Sequence, residues 1–191
     1  MKIAHLGDAL DHWKGSLIDV IGDEGLNVVP MLTDRNEWTQ EHFETYARLL
    51  CRKPENVLKK ERGDLFSNRT RHGYFCNMDE GDLFLDPDTG IAPDEKAEKE
   101  HINLSEIVSL LPAPSSRMLL IYQHASREKD GPRKKLQLLR DTQGLRECGI
   151  FAYDSGMVSM IGISRNRDRT DEASARLKIW LGPVASTRII A

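Results

Sequence analysis

The order of apolar and polar residues along the chain predicts helices that alternate with short strands. Apolar residues at Trp13, Leu17, Ile18 and Ile21 follow helical spacing, so residues 11–21 are predicted to be a helix. Further helices are predicted at residues 38–50, 55–65, 103–111 and 134–143. Apolar runs bounded by turn residues predict strands at residues 26–32, 82–85, 117–122, 149–153, 157–164 and 176–181, and residues 2–6 are expected to be a strand or an extended arm.

This alternation predicts an α/β protein with a doubly wound, mostly parallel sheet. The segments 157–164 and 176–181 are expected to pair as a C-terminal antiparallel hairpin, joined by the charged loop 165–172. Residues 86–99 and 123–133 are rich in polar residues and are expected to be surface loops. A length of 191 residues favours one domain, which covers residues 1–191.

Composition and charge narrow the class of protein. The formal net charge is −3 at pH 7, which gives no global signal for nucleic acid or membrane. An acid and a glycine precede any apolar run in residues 1–8, so we expect no signal peptide there, and no apolar stretch approaches the length of a membrane span. The three cysteines, Cys51, Cys76 and Cys148, lack metal-ligand spacing, so we expect buried free thiols, a cytoplasmic location and no cysteine-based metal site. Trp38 and Trp180 are expected in the core.

The most informative segment is the Asp-Pro-Asp-Thr-Gly run at residues 86–90, which follows a predicted buried strand. In doubly wound sheets, ligands bind outside the carboxyl ends of the strands. The carboxylates of Asp86 and Asp88 suit a divalent cation, or they suit acid–base chemistry on a shared proton. The alternative is a loop in which both side chains only accept hydrogen bonds from backbone amides.

Two other segments carry candidate chemistry. Gln123-His124-Ala125-Ser126-Arg127 follows the next predicted strand, where His124 suits a base and Arg127 suits a phosphate or carboxylate. Adjacent strands would bring this loop and Asp86 to one crevice. Near the start of the chain, Asp11 is expected to cap a helix, with Lys14 one turn later.

Basic residues cluster between Arg127 and Arg140 and again at Arg165, Arg167 and Arg169. Either cluster could contact the phosphates of a nucleic acid. The interspersed acids Asp130 and Asp168 favour a solvated surface instead. The chain has no GxGxxG after a strand, no Walker loop, no GxSxG and no HExxH.

The three segments GDALDHWKGSLI, DLFLDPDTGI and MLLIYQHASR together resemble a family of uncharacterised bacterial proteins. The first segment is also similar to the HAGNxADVxKH segment of the bacterial large-subunit ribosomal RNA adenine methyltransferases. Asp86-Pro87-Asp88 falls where that family has Asp-Pro-Pro-Tyr. In this chain Asp88 replaces the second proline, Thr89 replaces the aromatic residue, and residues 33–36 stand in place of the glycine-rich cofactor loop.

The second resemblance implies a methyltransferase-like Rossmann fold that uses S-adenosylmethionine. It assigns cofactor binding to Gly7, Asp8, Asp11 and Lys14. It also implies that Asp86 and the Pro87 carbonyl accept hydrogen bonds from a target amine, and we assign His124 and Arg127 to the substrate.

Three functional hypotheses follow. The first is a methyltransferase-like enzyme that acts on nucleic acid. The second is a phosphoesterase or nuclease in which Asp8, Asp86 and Asp88 hold Mg²⁺ or Mn²⁺; it is motivated by the additional carboxylate of Asp88. The third is a non-catalytic protein that uses the same cleft to bind nucleic acid or protein.

Overall fold

The computed structural model describes residues 1–34, 37–59, 65, 68–75, 81–124 and 130–191. Its strands are β1 (Asn27–Pro30), β2 (Leu83–Asp86), β3 (Gly90–Ala92), β4 (His101–Asn103), β5 (Met118–His124), β6 (Gly149–Asp154), β7 (Val158–Ser164) and β8 (Ile189–Ile190). Its α-helices are α1 (Ala9–Ile21), α2 (Gln40–Leu49), α3 (Asn68–Phe75), α4 (Leu104–Leu110), α5 (Gly131–Asp141) and α6 (Arg167–Ala185). Short 3-10 helices lie at Ile3–His5, Pro54–Asn56, Asp94–Lys96 and Ser186–Arg188.

Six strands form one open sheet in the order β1-β2-β5-β7-β6-β8. β1, β2 and β5 are parallel neighbours, with Val28 opposite Phe84 and Phe84 opposite Leu120. β7 runs antiparallel to both β5 and β6, so β6 has the same direction as the first three strands. The predicted α/β class with a mainly parallel sheet is therefore confirmed.

Helices cover both faces of this sheet, as expected for a doubly wound arrangement. Along β5, Leu120 packs with residues of α1, α2 and α6, whereas Leu119 and Ile121 face the other core, with α4 and α5. Strand residues alternate between two faces, and here both faces are apolar. This explains why the strand appears in the sequence as a continuous apolar run.

The predicted antiparallel hairpin is confirmed in one of its two strands, residues 157–164, and wrong in the other. Its antiparallel partners are β6 and β7, and residues 176–181 belong to helix α6, which also includes most of the expected loop 165–172. Ala173 and Leu177 are buried four residues apart, which is the helical period. A short apolar run alone does not distinguish a strand from a buried helix face. Trp180, about one turn after Leu177 in the same helix, is 53% exposed and is not a core residue.

Other boundaries also differ from the predictions. Residues 2–6 contain a 3-10 turn rather than a strand, and residues 54–56 form another 3-10 turn where a helix was expected. The remainder of the predicted helix 55–65 lies mostly outside the described residues. The expected loop 86–99 contains β3, which pairs in parallel with β4. Cys148 is buried as predicted, Cys51 is exposed, and Cys76 lies outside the described residues.

Within the described ranges, none of the helices combines the length and the apolar character needed to cross a bilayer.

Candidate functional site

The candidate site lies at the edge of the sheet where β1, β2 and β5 end. Because these strands are parallel, Pro30, Asp86 and His124 are placed at the same edge. A cleft of about 360 Å³ opens there, which we call the site cleft; its lining includes Asp8, Asp11, Lys14, Asp86, Tyr122 and His124. The prediction that Asp86 and His124 share one crevice is thus confirmed, and the start of helix α1 lines the same cleft.

Helix α1 supplies one wall of the site cleft. Its N-cap is Asp8, whose Oδ1 accepts hydrogen bonds from the amides of Leu10 at 2.8 Å and Asp11 at 3.2 Å. The prediction that Asp11 is the cap is therefore wrong. Asp11 lies in the first turn instead, and its Oδ2 accepts a hydrogen bond from the Gly7 amide at 2.9 Å.

Lys14 is buried between two carboxylates rather than solvated. Its Nζ donates to Asp11 Oδ1 at 3.1 Å and to Asp86 Oδ2 at 2.8 Å, and it lies 4.5 Å from the centre of the Tyr122 ring. Burial would lower the pKa of Lys14, but the carboxylates of Asp86 and Asp11 outweigh it, and the pKa is raised. Lys14 is therefore a fixed positive charge at the base of the site cleft.

Tyr46 on α2 is a site residue that the sequence motifs do not contain. The Tyr46 hydroxyl donates to Asp86 Oδ2, the same oxygen that accepts from Lys14. Burial and the nearby charge of Asp86 raise the pKa of Tyr46 well above its ordinary value, so its hydroxyl remains a donor. The sequence does show Phe43, Tyr46 and Ala47 on one face of a predicted helix. That pattern predicts only that these side chains are buried, and not that Tyr46 contacts Asp86.

Gly15 allows α2 to come close enough for this contact. A Cβ at Gly15 would lie 3.2 Å from the carbonyl carbon of Leu49 and closer still to its oxygen. Only a residue without a side chain permits that approach of two helices. The close approach brings Tyr46 to the same carboxylate as Lys14.

Asp86 presents its two oxygens differently. The residue is only 2% exposed, and Oδ2 accepts both the Lys14 and the Tyr46 hydrogen bonds. No hydrogen bond from a described residue reaches Oδ1, and Asp86 lines the site cleft. Oδ1 is therefore a hydrogen-bond acceptor available to a ligand, next to Pro87 in the same wall.

Asp88 and Thr89 have structural contacts in this loop. Asp88 accepts a hydrogen bond from the Thr33 hydroxyl and forms an ion pair with the amino group of Met1. The Thr89 hydroxyl donates to the carbonyl of Glu100 at 2.9 Å. Asp88 thus links the loop after β2 to the segment after β1.

Gln123 holds the same loop from β5. Its Oε1 accepts from the Ile91 amide at 2.9 Å, and its Nε2 donates to the carbonyls of Thr89 and His124, each at 2.9 Å. Gly90, with φ of 110°, packs against this amide. Gln123 therefore positions the loop that follows Asp86.

His124 is exposed at the boundary between two cavities. It lines the site cleft and also a second cavity of about 200 Å³ that includes Lys135 and Asp154. Its Nδ1 lies 3.1 Å from the Tyr122 hydroxyl. Burial raises the pKa of Tyr122 to about 12, so this hydroxyl remains protonated at neutral pH. His124 is therefore an accessible imidazole at the edge of the site cleft.

The remaining residues to which the sequence assigns candidate chemistry are basic. Arg127 lies outside the described residues. The guanidinium groups of Arg165, Arg167 and Arg169 donate to Leu111, Glu147 and Asp82 within the protein. Among the residues that the structure describes, no group of three histidine, cysteine or acidic side chains is arranged to hold a metal ion.

Comparison with protein-family models, with curated protein sequences and with solved structures finds no match to this chain. The function of the candidate site therefore has to be inferred from the geometry of its residues.

Proposed function

We propose that the protein is methyltransferase-like and binds S-adenosylmethionine together with an amine-bearing acceptor in the site cleft. The observation that carries the proposal is the available oxygen of Asp86, Oδ1, which lies beside Pro87 at the carboxyl edge of β2. An amine N–H is the natural partner for such an acceptor, because a buried carboxylate oxygen without a donor is costly.

The sheet supports the same proposal. β7 runs antiparallel to β5 and β6, and a reversed strand late in the chain fits a methyltransferase-like fold. The cleft adjoins the ends of β1, β2 and β5, where α/β sheets bind their ligands.

The charges of the residues that line the site cleft suit the positively charged groups of this cofactor. Asp8, Asp88 and Glu100 line it, and these carboxylates favour a sulfonium and an ammonium group. Gly7 and Asp11 order the wall through the bond from the Gly7 amide to Asp11. When bound, S-adenosylmethionine supplies an activated methyl group. The chain itself would orient the amine through Asp86 and offer His124 as a proton acceptor.

Titration calorimetry with S-adenosylmethionine and S-adenosylhomocysteine tests the proposal directly. At a ligand concentration of about 100 times Kd, bound ligand should also stabilise the fold by about 2.7 kcal/mol. Asp88→Asn should weaken binding, whereas the exposed Asp171→Asn serves as a control outside the cleft. Absence of heat from either compound, with folded protein, would refute cofactor binding.

The metal-dependent alternative has less support. Asp8 caps α1, Asp86 is paired with Lys14, and Asp88 is paired with the Met1 amino group. Each carboxylate thus has a protein partner, and among the described residues no three acidic, histidine or cysteine side chains are arranged to share one metal ion. A shift of the melting temperature by Mg²⁺ or Mn²⁺ that is lost in Asp86→Ala would favour this alternative again. Binding of S-adenosylmethionine without methyl transfer to any acceptor would favour the non-catalytic one.

A nucleic-acid acceptor is part of the proposal, through residues 127–140. On α5, Arg133, Lys134 and Arg140 are exposed, whereas Lys135 donates to the carbonyl of Ile91. Exposed basic residues give a binding constant that falls steeply with salt. Binding to single-stranded RNA should therefore weaken in Arg133→Ala and should lose part of its salt dependence.

A further inference from the structure

Two donors from different helices share one oxygen of Asp86. Lys14 on α1 and Tyr46 on α2 both donate to Oδ2, and both side chains are buried. Protonated Lys14 can only donate hydrogen bonds. The hydroxyl of Tyr46 donates one hydrogen bond and can also accept one. The pair therefore requires an acceptor atom on its side of Asp86.

We propose that Lys14 and Tyr46 form an orienting clamp on Asp86. This clamp decides whether the site cleft selects a ligand that donates a hydrogen bond or one that accepts it. The clamp fixes Oδ2, so that Oδ1 alone faces the ligand. In the wild-type protein the cleft then selects a ligand that donates an N–H. Lys14 and Tyr46 are positioning residues, because they act through Asp86.

The clamp predicts an unusual effect of Asp86→Asn. An asparagine has one oxygen and one NH₂ group. The two clamp donors require the oxygen, so the NH₂ group must point into the site cleft. The cleft then offers a donor in place of an acceptor, and its preference for the ligand should reverse.

Matched nucleosides provide the probes: the two members of each pair share the sugar and the ring skeleton, and they differ at one exocyclic group and in the hydrogen on the adjacent ring nitrogen. Cytidine and adenosine carry an amine where uridine and inosine carry an oxygen. We would measure the dissociation constants of all four by NMR-detected titration, with and without S-adenosylhomocysteine. We expect the wild-type protein to prefer the amine-bearing member by about tenfold, the effect of one hydrogen bond of 1.4 kcal/mol, and Asp86→Asn to prefer the oxygen-bearing member.

The second variant removes one clamp donor and keeps the ring. In Asp86→Asn/Tyr46→Phe only Lys14 remains to orient the amide, so the reversal should shrink by a factor of about five. Tyr74→Phe is the matched control, because the buried Tyr74 hydroxyl donates to the Pro30 carbonyl at 2.6 Å and not to Asp86. Tyr74→Phe should leave the ratio of the two dissociation constants unchanged.

The inference rests on the proposed amine recognition, but it fails separately from cofactor binding. If S-adenosylhomocysteine binds and Asp86→Asn keeps the wild-type preference, the clamp is overturned and the cofactor proposal stands. If the wild-type protein shows no preference within either pair, or binds neither member, the clamp is also overturned. If the preference reverses although S-adenosylhomocysteine does not bind, the clamp stands and the cofactor proposal fails.

Discussion

Replacement of Gly90 by alanine is expected to destabilise the loop that carries Asp86. Gly90 has φ of 110°, a backbone conformation that residues with a Cβ rarely adopt. A Cβ there would stand 2.5 Å from Nε2 of Gln123 and closer still to Cδ and Oε1. A glutamine at the surface could move aside, but Gln123 is buried and makes three hydrogen bonds.

The expected magnitude combines two contributions. The backbone strain of a non-glycine residue at positive φ costs about 1–2 kcal/mol. Displacement of the Gln123 amide sacrifices up to three hydrogen bonds, each with a net contribution of about 1 kcal/mol. With two or three of these bonds lost, the free energy of unfolding should fall by about 3–5 kcal/mol, a large part of the stability of a typical domain.

Urea unfolding followed by circular dichroism measures this change. Gly25→Ala is the control, because Gly25 is exposed and its Cβ would meet nothing within 4 Å. In Gly90→Ala/Gln123→Ala the collision is absent, so the double variant should lose less stability than the sum of the two single variants. A loss below about 1 kcal/mol in Gly90→Ala, or strict additivity, would show that Gln123 does not hold the loop against Gly90.

Two further predictions concern charge. Because the pKa values of Lys14 and Tyr46 are raised above 10.5 and 10.0, the folded state binds these protons more tightly, and the free energy of unfolding should fall as the pH rises above about 10. Urea unfolding across that range should show a smaller fall in Tyr46→Phe; an unchanged slope contradicts the assignment. Asp82 accepts two bonds from Arg169, at 2.9 and 2.7 Å, and one from the Met118 amide, so Asp82→Ala should cost about 3 kcal/mol. Asp23 is the exposed partner of the same arginine, so Asp23→Ala should lower the free energy of unfolding by less than about 1 kcal/mol. Equal losses of stability in Asp23→Ala and Asp82→Ala would refute the argument.

The sequence by itself determined the α/β class and the edge of the sheet that carries the site. Continuous apolar runs at β2 and β5 are typical of strands buried on both faces, and the polar residues that follow mark their carboxyl ends. From these patterns, Asp86 and His124 could be assigned to one crevice. Helix α6 could not be predicted in the same way, because the apolar run in residues 176–181 is too short to separate a strand from a helix face.

Only the tertiary structure decided which groups act on Asp86. Tyr46 lies 40 residues from Asp86 in the chain, and its contact depends on how closely α2 approaches α1 at Gly15. The sequence likewise did not show that Asp8, and not Asp11, caps α1, which frees Asp11 to pair with Lys14. Periodicity reports which side chains are buried, whereas the hydrogen-bond partner of a buried polar atom is set by helices and strands that meet only in the folded chain.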